Sequence, residues 1–171
     1  MKATFLAQIF LIFALAGCNP VAMTGALPRD AAETKIDVED AKARKIRIMY
    51  RMLDLVNLAR QQNGLTQVEF SSALNAAAQT HSFDMSLQNR PWHFGSDGSS
   101  PLDRAARSLY TGMFLGENIS ESYENDFQTI VAWLGERGTR DVILDPRATQ
   151  IGIGWYQEAS GKNWWTLVSG K

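Results

Sequence analysis

The stretch IGIGWYQEASGKNWWTLV, residues 151–168, decides the fold class. Bulky apolar side chains alternate with small ones in its first half, at Ile151, Ile153 and Trp155, which is typical of a strand with one buried face. A Ser-Gly pair at 160–161 supplies a turn, and residues 163–168 form the second strand of a hairpin. A hairpin that follows a run of helices indicates an α+β domain with stacked layers rather than alternating βαβ units.

The first predicted helix begins near Val38. Apolar residues then recur with the spacing of one buried helical face, at Met49, Met52, Leu53, Val56 and Ala59. An Asn-Gly pair at 63–64 follows, and glycine commonly ends helices because it adopts left-handed backbone angles.

A second helix is predicted after Phe70, with Ser71 or Ser72 as its N-cap. One side of this helix carries Leu74, Ala77, Ala78, His81 and Met85. The run of three alanines at 76–78 indicates close packing against another element. Residues 88–99 hold one proline and two glycines, so we predict a loop there.

Two more helices are predicted further along the chain. A short one has Ser100 as its cap, Pro101 in its first position and Asp103 completing a capping box. The other is capped by Asn125 or Asp126, and glycines at 135 and 138 break it. Its apolar stripe consists of Phe127, Ile130, Val131 and Leu134.

The N-terminal residues form a targeting segment rather than part of the fold. Lys2 precedes an apolar run at 5–16 that is too short for a permanent membrane span. The sequence Leu15-Ala16-Gly17-Cys18 resembles the bacterial lipobox, where the signal is cleaved before a cysteine that is then acylated. We therefore predict a lipoprotein signal peptide at 1–17, lipidation of Cys18, a flexible tether at 18–40 and one domain at 41–171.

The predicted anchor sets the location. Several acyl chains on Cys18 would hold the protein stably on a membrane, since each buried methylene contributes about 0.8 kcal/mol. The expected location is the bacterial cell envelope, on the periplasmic or outer-membrane face, with the membrane as a partner. The alternative is a soluble secreted protein that is cut near the same small residues. Cys18 is the only cysteine, so the fold has no internal disulfide and no other thiol nucleophile.

Charge excludes one class of partner. The formal net charge is −1, and no basic stripe stands out in the globular part. Because binding to phosphate backbones needs clustered Lys and Arg, nucleic acid is not an expected partner.

Both histidines of the chain lie within the segment 81–118. His93 falls in the predicted loop, and its spacing to His81 and to Glu117 matches no compact metal motif. On spacing alone, His93 is a surface or hydrogen-bonding residue, and Glu117 is an exposed turn residue. His81 lies on the buried side of its helix, where a neighbour such as Asp84 could satisfy its ring.

Glu136 is predicted to lie near the C-terminal end of its helix, on the face opposite the apolar stripe. A carboxylate there meets the negative end of the helix dipole, which costs a few tenths of a kcal/mol to about 1 kcal/mol. Glu136 is therefore either a tolerated solvated residue or an acidic group that faces a cavity.

An ordered set of motifs between about Leu53 and Val168 resembles the CAP superfamily of cysteine-rich secretory proteins, antigen 5 and pathogenesis-related 1 proteins, in its bacterial form. The motifs are Leu55-Val56-Asn57-x-x-Arg60 with Gly64-Leu65, Ala77-Ala78-x-x-His81-Ser82-x-Asp84-Met85, His93, Asp97-Gly98-Ser99-x-Pro101-x-x-Arg104, Gly116-Glu117-Asn118-Ile119, Trp133, Ile143-Leu144-x-Pro146, Ile151-Gly152-Ile153-Gly154 and Trp165-Thr166. The resemblance implies a three-layer α-β-α sandwich with a large cleft.

The resemblance also implies a set of cleft residues. Members often place two histidines and two acidic residues in the cleft, where they can bind a divalent metal. In this chain the matching positions are His93, Glu117 and Glu136, while Thr139 stands where the second histidine is expected. His81, Asp84, Asn118 and Arg140 are expected to support the cleft.

Thr139 weakens the metal expectation, because a hydroxyl is a poor neutral ligand beside imidazole. We expect at most weak binding of a divalent metal such as zinc, at His93 and Glu117. Without a metal, two cleft carboxylates lying close together would raise the pKa of at least one of them.

The leading functional hypothesis is a membrane-tethered envelope protein that binds a ligand in the central cleft, either a lipid, a peptide or a cell-wall fragment. The second hypothesis is a metal-assisted or carboxylate-based hydrolase with His93 and Glu117 at its centre. The third is a non-catalytic envelope scaffold. Thr139 favours binding over catalysis.

Overall fold

The computed structural model describes the backbone of residues 29–171 and the side chains of residues 37–171. The predicted signal peptide at 1–17 and the predicted lipidation site Cys18 lie outside the described residues. Between residues 29 and 171, no helix has the length and apolar character needed to cross a membrane.

Five helices and four strands follow one another in the described part of the chain. They are α1 (Arg29–Gln62), β1 (Glu69–Phe70), α2 (Ser72–Gln88), α3 (Pro101–Arg107), β2 (Phe114–Glu121), α4 (Asp126–Gly135), α5 (Arg137–Ile143), β3 (Gln150–Gln157) and β4 (Asn163–Gly170). The predicted C-terminal hairpin is β3 and β4, which pair antiparallel around a turn in which Gly161 has φ +91°.

The strands form one sheet in the order β1-β3-β4-β2. Helices α1, α4 and α5 pack on one face around a core that includes Met52, Trp133 and Ile153. Helices α2 and α3 cover the other face, where Leu74 and Ala105 meet Val168. This arrangement confirms the predicted α+β class and the three-layer α-β-α sandwich.

The Ile-Gly alternation of β3 sets how closely α2 approaches the sheet. Successive strand residues point to opposite faces, so Ile151 and Ile153 enter the core beneath α1 and α4. A Cβ on Gly152 would lie 2.1 Å from the carbonyl carbon of Leu74, and one on Gly154 would lie 2.2 Å from the carbonyl oxygen of Ala78. Helix α2 therefore rests directly on the backbone of β3, as the alanine run predicts.

Local signals place most helix ends correctly. Gly64 follows α1 with φ +71°. Ser71 caps α2, Ser100 and Asp103 form the predicted capping box of α3, and Asn125 caps α4.

Two features of the helices differ from the sequence expectations. Helix α1 begins at Arg29, so residues 29–40 are helical rather than part of a flexible tether. Half of residues 29–40 are alanine, glutamate, lysine or arginine, all of which favour helices. In α4 the buried face contains Asp126, Thr129, Ile130 and Trp133, whereas Phe127 and Val131 of the predicted stripe are exposed.

Candidate functional site

Glu117 of β2 is held by Arg104 of α3 beneath the α2–α3 layer. Arg104 donates from Nη2 to both carboxylate oxygens of Glu117, at 2.9 Å to Oε1 and 2.7 Å to Oε2. The Glu117 side chain is 2% exposed. A carboxylate buried this deeply needs such a partner, because an unpaired ion in the interior is strongly destabilising. The sequence motif contains Arg104 but does not indicate its contact with Glu117, which the structure shows.

His93 joins this pair, as the family resemblance implies. Its Nδ1 lies 2.9 Å from Oε1 of Glu117, and its side chain is 52% exposed. Because an ionised carboxylate only accepts hydrogen bonds, Nδ1 carries the proton in this contact. The other ring nitrogen of His93 is the one left available to solvent or to a ligand.

His81 lies beneath the loop and is fully buried. Its Nε2 lies 3.0 Å from the carbonyl oxygen of Trp92, so Nε2 carries the proton and donates. Burial lowers the pKa of His81, while the negative charge of Glu117, whose Oε1 lies 3.8 Å from Nε2, partly opposes this. Nδ1 of the neutral ring is buried and has no hydrogen-bond partner among residues 37–171.

Asp84 does not satisfy His81, contrary to the sequence prediction. Its carboxylate accepts hydrogen bonds from the backbone N–H of Ser96 at 2.7 Å, from the Ser96 hydroxyl at 2.6 Å and from Gln88 at 3.0 Å. The partner of His81 comes instead from the loop, eleven residues away in sequence.

His81, His93, Arg104 and Glu117 together form what we call the Glu117 cluster. Besides holding Glu117, Arg104 donates from Nη1 to the carbonyl oxygens of His93 and Ser99, at 2.9 and 3.0 Å. His81 holds the carbonyl of Trp92 in the same way. The cluster therefore holds the loop between α2 and α3 in place through hydrogen bonds to the main chain of that loop.

Thr139, Asn118 and Arg140 lie on the other side of the sheet. Adjacent residues of a strand point to opposite faces, so Asn118 points away from the side on which Glu117 meets α3. Asn118 donates to the carbonyl oxygen of Thr139 at 2.8 Å, and the Thr139 hydroxyl donates to the carbonyl oxygen of Trp133 at 2.7 Å. Arg140 is exposed on α5.

Glu136 is not part of α4, contrary to the sequence prediction. Helix α4 ends at Gly135, and Glu136 is an exposed residue that precedes α5 in extended conformation. Gly138 lies inside α5 rather than breaking a helix. In residues 37–171, no hydrogen bond or ion pair joins the side chain of Glu136 or Thr139 to the Glu117 cluster. The two predicted cleft carboxylates therefore differ in setting, because Glu117 is buried and paired with Arg104 whereas Glu136 is exposed.

The residues of the Glu117 cluster fit a divalent metal poorly. Both oxygens of Glu117 contact the Arg104 guanidinium, and a zinc ion would bind those oxygens at about 2 Å. The two positive charges would then repel each other at close range. Across the described side chains, no group of three or more His, Cys, Asp and Glu residues is placed to hold a metal ion.

A groove of about 510 Å³ lies beside the cluster, between α2 on one wall and the loop and α3 on the other. The α2 wall presents Phe83 and Leu87, which are 44% and 68% exposed. The opposite wall is polar and includes Ser96, Ser99 and an ion pair between Arg107 and Asp97. Arg104 lines this groove as well, so the cluster and the groove share a residue. We call it the α2–α3 groove.

Residues 53–169 match the model of the cysteine-rich secretory protein family, CAP. An uncharacterized protein of Bacillus subtilis strain 168, YkwD, is 30% identical over 121 residues, which cover 71% of this chain and 46% of that protein. The chain thus spans less than half the length of this relative.

Two solved structures share the fold. An extracellular protein containing an SCP domain from Bacillus anthracis matches with a TM-score of 0.66 and 25% identity, over 72% of this chain and 40% of that one. An outer surface protein from Borrelia burgdorferi matches with a TM-score of 0.62 and 15% identity, over 71% of this chain and 90% of that one.

Proposed function

The chain belongs to the cysteine-rich secretory protein family, and we propose that it is a membrane-tethered cell-envelope protein that binds an amphipathic ligand in the α2–α3 groove. The observation that carries the proposal is the pair Phe83 and Leu87. They lie one helical turn apart on α2, are exposed, and face the groove. Fully burying a side chain of this size contributes about 1.5–3 kcal/mol, and covering the part of each that is exposed contributes a share of that.

The charges around the groove indicate what the ligand carries besides its apolar part. Arg107 pairs with Asp97, and Arg104 pairs with Glu117, so both cations are already neutralised. Asp84 accepts hydrogen bonds from Ser96 and Gln88. A ligand with a neutral or zwitterionic polar end therefore fits better than an anion. A zwitterionic lipid with one acyl chain meets these requirements.

The Glu117 cluster supports this groove in the proposal rather than performing chemistry. Arg104 lies in the wall and holds the carbonyl of Ser99, which lines the groove too. A carboxylate that acts as a general base must reach its substrate, whereas Glu117 is buried against Arg104 and His93. Among residues 37–171, no hydroxyl group makes a hydrogen bond with the His93 ring. These contacts favour binding over a carboxylate-based hydrolase.

The envelope location rests on two further observations. The segment Leu15-Ala16-Gly17-Cys18 resembles a lipobox, although it lies outside the described residues. The Bacillus anthracis relative is described as extracellular. Acylation of Cys18 is the proposed anchor.

Binding of a fluorescent lysophosphatidylcholine, kept below its micelle concentration, tests the proposed ligand site. Leu87→Glu places a charge on the apolar wall and should weaken binding about tenfold or more. Leu102→Glu is the matched control, because Leu102 is 59% exposed on α3 and does not line the groove. Equal affinities of the two variants would reject the α2–α3 groove as the site.

A further inference from the structure

A second pocket lies on the opposite face of the sheet, where α1 and the start of α4 meet β3 and β4. Its volume is about 300 Å³. We propose that this pocket binds an anionic sugar, with the sugar ring against Trp155 and its carboxylate or phosphate group held by Arg44 and Arg47. We call it the Arg44 pocket.

Aromatic rings form the inner wall of the Arg44 pocket. Trp155 stacks on the fully buried Trp165, with ring centroids 5.7 Å apart and an interplanar angle of 22°. Both indole N–H groups are already used, since Trp155 donates to Asn163 Oδ1 at 2.9 Å and Trp165 donates to the Tyr123 carbonyl at 3.2 Å. Trp155 is half-buried, so its ring offers apolar surface to the pocket, which suits the C–H face of a sugar ring.

Arginines of α1 supply positive charge at the mouth of the same pocket. Arg44, Arg47 and Arg51 all line it. Arg51 is committed to Asp126 through two hydrogen bonds, at 2.7 and 3.0 Å, so Asp126 does not repel an anion.

The other two arginines are not committed in this way. In the part of the chain whose side chains are described, no carboxylate pairs with Arg44 or Arg47. The Arg44 guanidinium lies 5.5 Å from the centre of the Trp155 ring, whereas Arg90 lies 3.9 Å from Trp92 in a close stack. A distance of 5.5 Å is near the outer limit of a cation–π contact, about 6 Å, so Arg44 gives up only a weak contact when it turns toward a ligand.

The remaining polar groups distinguish a sugar from a simple anion. Asn125 uses its Oδ1 to cap α4, and Gln157 uses its Nε2 on the Gly161 carbonyl. The second polar atom of each amide makes no hydrogen bond within residues 37–171, and these atoms match sugar hydroxyls. The N-terminus of α4 adds partial positive charge. Glu124 at the rim is the one acidic group left to oppose an anion among the described residues that line the pocket.

The Arg44 pocket is independent of the α2–α3 groove, because the sheet separates them and they share no lining residue. The two sites also differ in charge. In the groove both arginines are paired with carboxylates, whereas in the Arg44 pocket two of three are not paired with any carboxylate of residues 37–171. A ligand that carries a net negative charge should therefore prefer the Arg44 pocket.

Nuclear magnetic resonance of the ¹⁵N-labelled full-length protein tests the proposal through the indole N–H signal of Trp155. The probes are glucuronate, glucose 6-phosphate, glucose and inorganic phosphate. We expect glucuronate and glucose 6-phosphate to shift this signal at concentrations on the order of 1–10 mM, and glucose to bind at least about tenfold more weakly. Inorganic phosphate should bind more weakly than glucose 6-phosphate, because it makes no ring contact.

Charge-neutralising variants complete the test. Arg44→Gln and Arg47→Gln should each weaken glucuronate binding about tenfold. Arg137→Gln, on an exposed side chain of α5, removes the same charge elsewhere and should leave binding unchanged. Equal affinities for inorganic phosphate and glucose 6-phosphate would overturn the sugar assignment. An unmoved Trp155 signal with both anionic sugars, or equal weakening by Arg137→Gln, would overturn the site.

Discussion

Arg104 holds both carboxylate oxygens of Glu117, at 2.9 and 2.7 Å, and through this pair α3 is joined to β2. The same guanidinium fixes the carbonyl oxygens of His93 and Ser99. In this member of the family, the acidic residue of the Gly-Glu-Asn-Ile motif thus serves as the counter-ion of an arginine that lines the α2–α3 groove.

Glu117→Gln tests the energetic role of this pair. The substitution keeps the shape of the side chain but leaves Arg104 as an unpaired buried charge, so the free energy of unfolding should fall by about 3–5 kcal/mol. Urea denaturation followed by circular dichroism measures this. Asp97→Asn, which breaks the exposed pair with Arg107, should leave the free energy of unfolding nearly unchanged. Similar losses in both variants would contradict the structural role of Glu117.

His81 predicts a pH dependence of stability. Burial lowers its pKa in the folded protein below the usual value of 6.5, so the unfolded chain takes up a proton more readily than the folded one. The stability contributed by the neutral ring is therefore complete above about pH 6.5 and decreases as the pH falls below it, by at most about 1.4 kcal/mol per pH unit.

Urea unfolding between about pH 5 and pH 7 measures this effect against the variant His81→Gln. Glutamine keeps an N–H group that can reach the Trp92 carbonyl but does not titrate. The wild type should lose stability toward low pH more steeply than the variant. Identical slopes would show that His81 does not couple folding to pH.

Gly152→Ala and Gly154→Ala test the direct contact between α2 and β3. Each new Cβ would lie 2.1–2.2 Å from backbone atoms of α2, so the helix must move away from the sheet. We expect a loss of about 1–3 kcal/mol or more, seen as a lower Tm. Gly138→Ala is the control, because no atom lies within 4 Å of its new Cβ and alanine favours a helix. Its Tm should rise or stay the same.

Cys18→Ala tests the proposed anchor. Without the cysteine no acyl chain can be attached, so the protein should move from the membrane fraction to the soluble fraction of bacterial cells. Fractionation followed by immunoblotting measures the distribution. Cys18→Ser is a second variant that should behave alike, and unchanged membrane partitioning of either variant would contradict lipidation.

Local sequence patterns were sufficient for most of the fold. Residues close in sequence determine the hairpin, the buried side of α2 and the capping box at Ser100. The spacing of apolar and polar residues therefore predicts these features directly. The same patterns do not predict which face of a helix a neighbouring element covers. Phe127 and Val131 therefore matched the apolar stripe of α4 and yet are exposed.

The site was predictable only in part, because its contacts depend on the folded arrangement. The family motifs imply that His93 and Glu117 share a cleft, and in the structure the two side chains are in contact. Asp84 looked like the partner of His81 from helical spacing, but the loop supplies Trp92 instead. For Glu136, a shift of one residue in the end of the helix changes the position of the side chain. Helix α4 ends at Gly135, just before this residue, so the carboxylate does not lie on the helix face; of the two alternatives for Glu136, its exposure agrees with the solvated residue.

The location of a bound acyl chain tests the central claim most directly. Lysophosphatidylcholine with a nitroxide on its acyl chain broadens nuclear magnetic resonance signals of nearby protons. We predict that it broadens the methyl signals of Leu87 and the ring signals of Phe83, while those of Leu102 stay sharp. Equal broadening at Leu102, or sharp signals at Leu87 and Phe83 with the lipid bound, would contradict binding in the α2–α3 groove.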